Sequence, residues 1–193
     1  MSGIEDLREY FNVGAGGAAN ALGKIINKRV YMNIPRLGIM PVNKVLDELG
    51  DPDKKVCAVY FDIKGGFNAG IVIIFETEAV LRLASMTLKN FDNDVCGSRT
   101  VSFLKEISNI MSSYFLNNFS KFVGKSLIPS VPAYSMDMLG AIMEELFASY
   151  GQSGLDIMFI ETVIFNEEEK IFFDFLLIPD SNSLNFLQNK ANE

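Results

Sequence analysis

Glutamate and asparagine stand three residues apart at two places, Glu9/Asn12 and Glu106/Asn109, and each asparagine is followed 23 residues later by a proline, Pro35 and Pro132. Residues three apart on a helix are neighbours, so each pair would present a carboxylate and an amide side by side. Ser102, four residues before Glu106, extends the second stripe by one turn. A carboxylate can anchor a lysine on a partner. An amide both accepts from and donates to water, and can orient it for in-line attack on a phosphoryl group. The chain contains no histidine, which excludes Ser-His and Cys-His catalysis and makes most zinc chemistry hard to build. No metal ligand set is read in the sequence. Chemistry of this kind would be completed in trans, on a group carried by another molecule.

A single Glu-x-x-Asn is far more often a solvated helix face than a site. Asparagines also serve structure by bridging backbone groups. Duplication raises the pair above both readings. Sliding the chain on itself by 97 residues aligns Leu7 with Leu104, Glu9 with Glu106, Asn12 with Asn109, Asn20 with Asn117, Lys24 with Lys121, Lys28 with Lys125 and Pro35 with Pro132. Seven identities in 29 positions compare with roughly two expected from ordinary residue usage.

The elements that would position these pairs also recur. A helical pattern covers 4–27, and its run Gly14-Ala15-Gly16-Gly17-Ala18-Ala19 costs helix stability unless close packing repays it. An extended stretch follows over 29–40, where Pro35 and Pro41 argue for an edge or bulged strand. A short helix spans 42–49, strands span 56–63 and 67–75 around a Gly65-Gly66 turn, and a helix spans 78–88. The second round reads as a helix over 100–123, a strand over 126–135, a helix over 137–150, strands over 156–165 and 170–178, and a last helix from about Asp180, which Asp180 or Ser181 could cap. In the second long helix Leu104, Ile107, Met111, Phe115 and Phe122 mark the core face, leaving the Glu-Asn stripe toward solvent. The expectation is an α+β fold, internally duplicated and pseudo-two-fold, with a largely antiparallel sheet and two long equivalent helices. One domain, 1–193, would be built of two repeats, about 4–90 and 100–190.

Composition bounds the partners. Seventeen Lys+Arg against 24 Asp+Glu give a net charge of -7, and no basic run could track a nucleic-acid backbone. The segment Met1-Ser-Gly-Ile-Glu-Asp-Leu-Arg-Glu lacks the basic and apolar parts of a secretory signal. No uncharged apolar run approaches the ~18 residues of a membrane span. A soluble cytoplasmic chain without membrane insertion is expected. Cys57 and Cys96 then read as small buried hydrophobes in a reducing compartment. The glycines at 14, 16 and 17 lie inside a helix without a following Lys-Ser/Thr, so they read as packing rather than as a phosphate loop.

These residues resemble the CheC/CheX/FliY chemotaxis phosphatases, whose pattern is Asp or Ser, three residues, Glu, two residues, Asn, 22 residues, Pro. Ser102, Glu106, Asn109 and Pro132 fit every position; Glu9, Asn12 and Pro35 fit the first copy, where Glu5 stands in place of Asp or Ser. The likeness continues through Asn12-Val-Gly-Ala-Gly-Gly-Ala-Ala-Asn-Ala-Leu and Ala133-Tyr-Ser-Met-Asp-Met-Leu-Gly-Ala-Ile and covers nearly the whole chain. The resemblance implies a protein aspartyl-phosphate phosphatase acting on a phosphorylated CheY-type response regulator. Glu9 and Glu106 would pair with the regulator's active-site lysine, and Asn12 and Asn109 would position the hydrolytic water. Ser102, Pro35 and Pro132 would support them, and Mg2+ would sit on the regulator, with no cofactor bound by this chain. Two sites in one chain resemble CheC, whereas CheX forms have one site and dimerise, so a monomer is expected. Complete FliY proteins add a carboxyl-terminal switch domain, and nothing before Glu5 is long enough for a regulator-docking peptide. Family members commonly bind the deamidase CheD, and the implied surface is the helix near Asp137, with Met138, Leu139 and Ile142, although the same residues read equally well as core. The competing class is a non-catalytic regulator-binding or CheD-binding module of the flagellar switch system.

Overall fold

The computed structural model describes residues 3–88, 91, 93–150, 156–167 and 170–191. The end of the first repeat near residue 90 lies outside the described residues. The elements run α1 (Gly3–Ile26), β1 (Tyr31–Pro41), α2 (Val42–Leu49), β2 (Lys55–Gly65), β3 (Ala69–Glu76) and α3 (Thr77–Thr87). They continue α4 (Ser98–Val123), β4 (Leu127–Pro129), β5 (Ala133–Met138), α5 (Leu139–Tyr150), β6 (Asp156–Phe165), β7 (Lys170–Pro179) and α6 (Ser181–Ala191).

All seven strands join one antiparallel sheet in the order β1-β6-β7-β3-β2, with β4 and β5 side by side along the free edge of β2. Exchanging the halves turns this order into its own reverse. The first strand of each half pairs with the hairpin of the other half, and β3 and β7 meet at the centre. That is the pseudo-two-fold sheet expected from the repeat. The two halves are interleaved, so neither edge strand has its partner within its own half.

Alternation along the strands divides the core in two. Val59, Phe61, Ile71, Ile73, Phe173 and Phe175 face α1 and α4, with Leu83 of α3 and Leu187 of α6 closing the ends. Val56, Ala58, Val72, Ile74, Phe159 and Leu176 face α2 and α5. The central strand β3 is buried over nearly its whole length, as a strand covered on both faces must be.

The glycine run of α1 is compressed against α4. A Cβ on Gly14 would come within 3.1 Å of the Tyr114 carbonyl oxygen and of the Phe115 ring, and one on Gly17 would strike the Tyr114 ring at 2.5 Å. Close helix approach therefore offsets the propensity these glycines lose.

Three sequence expectations change. The strand read over 126–135 is two strands, because Ser130-Val131-Pro132 interrupts it; Ser130 instead bonds Asp62, donating its N–H to the Asp62 carbonyl (2.8 Å) and accepting the Asp62 N–H at Oγ (3.0 Å). The hairpin after Gly65 holds Phe67 outside the strand, buried edge-on against Phe119 with ring centroids 5.3 Å apart. Gly65 itself has φ +129°, and a Cβ there would run into the Ser126 carbonyl oxygen where β4 meets β2. Cys96, read as a buried hydrophobe, is exposed in the loop before α4, with Sγ 3.5 Å from Met136 Sδ; Cys57 is buried, and both are free thiols.

An aspartate interrupts the otherwise apolar stretch 171–178 of β7. Asp174 of β7 pairs across with Glu161 of β6, on the α2 side. Burial, reinforced by Glu161 and Glu76 and opposed by Lys54 and Arg36, pushes its carboxyl up to about 7. A raised folded-state value means that the unfolded chain binds fewer protons between about pH 4 and 7, so this group costs stability as pH rises through that window. Asp174→Asn is therefore expected to raise Tm at pH 8 relative to wild type, by an amount worth roughly 2–4 kcal/mol, and to have little effect at pH 4. Thermal melts of both proteins across that range check the sign; a Tm difference independent of pH would remove Asp174 as the cause.

Candidate functional site

Apolar spacing orients both long helices in the same way. On α1, Leu7, Phe11, Ala15, Ala18 and Leu22 are buried, while Glu5, Glu9, Asn12, Gly16 and Asn20 are exposed. On α4, Leu104, Ile107, Met111, Phe115 and Phe122 are buried, while Ser102, Glu106, Ser113 and Asn117 are exposed and Asn109 is half-buried. Displaced by 97 residues, Glu5, Glu9, Gly16 and Asn20 fall on exposed residues of α4, and Asn12 falls on half-buried Asn109. The polar identities of the repeat thus form one solvent-facing stripe in each half.

Among the described residues, the side chains of Glu9, Asn12, Ser102, Glu106 and Asn109 take part in no hydrogen bond or ion pair of the chain. The backbone carbonyl of Asn109 accepts from Ser113 Oγ at 2.7 Å, which leaves its amide available. These amides therefore do not bridge backbone groups in the way a structural asparagine would. By contrast Asn118, buried on the same helix, donates to the Tyr114 carbonyl at 2.9 Å and accepts from Lys121 Nζ at 3.3 Å.

The two stations lie on opposite sides of the helix crossing. Tyr10 meets Phe122, Phe11 meets Phe115 and Phe119, and Gly17 meets Tyr114, so α1 and α4 run antiparallel. Gly17 and Tyr114 are themselves 97 residues apart, so the crossing falls on the pseudo-axis. Each glutamate is eight positions from that crossing, so the glutamates stand on the order of 24 Å apart along the pair.

The prolines act through the sheet edge. Pro35 occupies the irregularity of β1, where the register with β6 shifts between Asn33 and Arg36, and Pro132 occupies the gap between β4 and β5. A residue without an N–H suits both places. Arg8, next to Glu9, donates from its guanidinium to the Pro35 carbonyl at 3.0 Å and so ties the first bulge to its helix.

Of the four residues expected on a partner surface, Asp137 and Met138 (48% exposed) end β5, while Leu139 and Ile142 are 0% and 1% exposed in the core between α5 and the sheet. The helix begins at Leu139, two residues later than expected, because Asp137 and Met138 continue the pairing with β2. Sequence reasoning passed over the cleft beside Glu9, formed by Asp6, Tyr10, Val13, Lys121, Phe122 and Lys190. Lys190 arrives from the far end of the chain, on α6, and no local signal announces it. Among the described residues, no group of three or more Cys, Asp and Glu is placed to hold a metal ion, and no helix is long and apolar enough to cross a membrane.

Fold and site together define a class: a duplicated α+β protein that displays two equivalent carboxylate-amide stations on an exposed helix pair. The chain is 27% identical over 187 residues to CheY-P phosphatase CheC of Bacillus subtilis, covering 93% of this chain and 89% of that protein. The crystal structure of Thermotoga maritima FliY superposes with a TM-score of 0.76 at 14% identity, over 98% of this chain and 95% of that one. The CheX-CheY-BeF3-Mg2+ complex of Borrelia burgdorferi contains a chain with a TM-score of 0.55 at 16% identity, over 90% of this chain and 99% of that one. No protein-family model matches. Over most of its length the chain is thus similar to a CheC protein, and it shares its fold with FliY.

Proposed function

We propose that this chain hydrolyses the aspartyl phosphate of a CheY-type response regulator, using Glu9/Asn12 and Glu106/Asn109 as two separate sites. The observation that carries the reading is the duplicated Glu-Asn pair, solvent-facing and without partners in its own chain among the described residues. Similarity to a CheY-P phosphatase over most of the chain supports the substrate, as does the likeness to a CheX chain seen with CheY and beryllofluoride, where BeF3 stands in for the phosphoryl group. CheD is a second proposed partner.

The chemistry needs little from this chain beyond placement. Glu9 or Glu106 pairs with a lysine of the regulator and fixes the docking register. The neighbouring asparagine holds a water molecule in line with the phosphorus. The water oxygen forms a bond to phosphorus, the bond from phosphorus to the aspartate oxygen breaks, and the products are a free carboxylate and inorganic phosphate that takes up the water's protons. Mg2+ belongs to the regulator, where it neutralises charge on the phosphoryl oxygens.

The sites are not identical. Glu5 lengthens the side chain at the position where the second site has Ser102, adding a negative charge one turn from Glu9 and about two turns from the water-positioning amide. Asn12→Ala is therefore expected to cost less activity than Asn109→Ala when inorganic phosphate release from the phosphorylated regulator is followed for each single variant. Equal or reversed losses would reject that ranking, and no acceleration by wild type, with or without CheD, would favour a non-catalytic binding module.

A further inference from the structure

Resting on the phosphatase reading, we infer that Lys121 and Lys190 recognise the anionic surface around the regulator's aspartyl phosphate at the first site specifically, so that the two sites bind the same partner through different flanking chemistry. The cleft beside Glu9 is divided by charge. Asp6 and Glu9 line the α1 side, Lys121 of α4 and Lys190 of α6 line the opposite side, and Tyr10 and Phe122 form an aromatic floor with ring centroids 5.7 Å apart. The cavity is about 620 Å³, and Val13, 61% exposed, borders it.

Both lysines are held in place by contacts that leave charge to spare. Lys121 gives one hydrogen bond to Asn118 Oδ1 at 3.3 Å, and Asn118 is fixed by its own bond to Tyr114. Lys190 Nζ lies 5.7 Å from the centre of the Phe122 ring. Neither forms an ion pair among the described residues. An aspartyl phosphate next to a lysine is itself a paired anion and cation. The cleft offers the complementary pair in the order required, carboxylates for the partner's lysine and ammonium groups for its anions.

The second site lacks this arrangement. Positions displaced by 97 residues place Phe103 where the first site has Asp6, Ile107 for Tyr10, Ile110 for Val13 and Ile25 for Phe122. Lys24, the counterpart of Lys121, opens into a separate groove with Lys28 and Arg29. In α3, which corresponds to α6, the single basic residue, Arg82, is paired with Glu78. Flanking charge therefore distinguishes the sites while the Glu-Asn pair stays the same.

The test isolates each site in the full chain. Lys121→Ala/Lys190→Ala is placed in the Asn109→Ala background, where only the first site works, and in the Asn12→Ala background, where only the second works. Turnover of phosphorylated regulator is measured at rising salt, with binding of the beryllofluoride-loaded regulator measured alongside. The expected result is a roughly 5- to 10-fold rise in KM with little change in kcat in the Asn109→Ala background, at least five times the effect seen in the other, together with a steeper salt dependence of the first site that the lysine changes remove. Equal effects in both backgrounds, or a loss in kcat alone, would overturn the assignment. If wild type gives no turnover, the phosphatase reading fails on its own; weaker regulator binding by the lysine variant would then keep the recognition role, and unchanged binding would overturn it.

Discussion

Replacing Glu9 and Glu106 together with alanine is expected to lower kcat/KM for the phosphorylated regulator by roughly 100-fold or more, while stability changes by no more than about 0.5 kcal/mol. The two parts of that expectation have separate causes. Removing one member of a desolvated charge pair leaves the other charge buried in the complex without a counter-ion, and such losses commonly cost roughly 2–5 kcal/mol of binding. Folding is spared because both carboxylates are exposed and, among the described residues, bond to nothing within the chain. Initial rates of dephosphorylation together with urea melts of the same samples test both parts. A variant that keeps wild-type kcat/KM would remove the carboxylates from the docking register, and one that fails to fold would make them structural.

The opposite pattern is expected at Phe115, on the other face of the same helix. Its ring is fully buried, edge-on to Phe11 of α1 at 5.7 Å between centroids and to Phe175 of β7 at 5.1 Å. It therefore joins the two long helices to each other and to the centre of the sheet. Phe115→Ala removes those contacts and leaves a cavity in a region already closed around the α1 glycines, so a loss of about 3–5 kcal/mol is expected. The urea midpoint should fall accordingly, with the slope unchanged. A loss below about 1 kcal/mol would mean that the helix layer relaxes around the site and is not fastened there.

Much of this arrangement is legible in the sequence because the pattern repeats at several levels. The apolar periodicity of the second long helix, from Leu104 to Phe122, gives its buried face directly, and the exposed stripe follows as what remains. The displacement of 97 residues relates Glu9 to Glu106 and Pro35 to Pro132, and a pseudo-two-fold sheet is the arrangement in which both copies find equivalent surroundings. The short helix at 42–49 and its end at Gly50 are also plain from local signals, since the strand before it stops at Pro41.

What escapes the sequence is set by contacts between distant segments. The interruption at Ser130-Val131-Pro132 looks like continuous strand locally; it breaks because Ser130 finds Asp62 across the sheet edge. Leu139 and Ile142 carry the same residue types whether they face a partner or the sheet, and only packing against Ala58, Val72 and their neighbours assigns them to the core. Lys190 joins Glu9 in one cleft only because α6 returns to the amino-terminal helix. Asp174, set in the apolar run Ile171-Phe172-Phe173-Asp174-Phe175, is conspicuous in sequence, but its pairing with Glu161 depends on the register of β6 and β7.

The most direct test of the two-site mechanism is the decay of a radiolabelled phospho-CheY from the same organism, followed alone, with wild type, and with Asn12→Ala/Asn109→Ala at equal concentration. Wild type should accelerate decay and the double variant should return it to the spontaneous rate, with both proteins equally folded. Acceleration that survives in the double variant would contradict a mechanism in which these two amides position the attacking water.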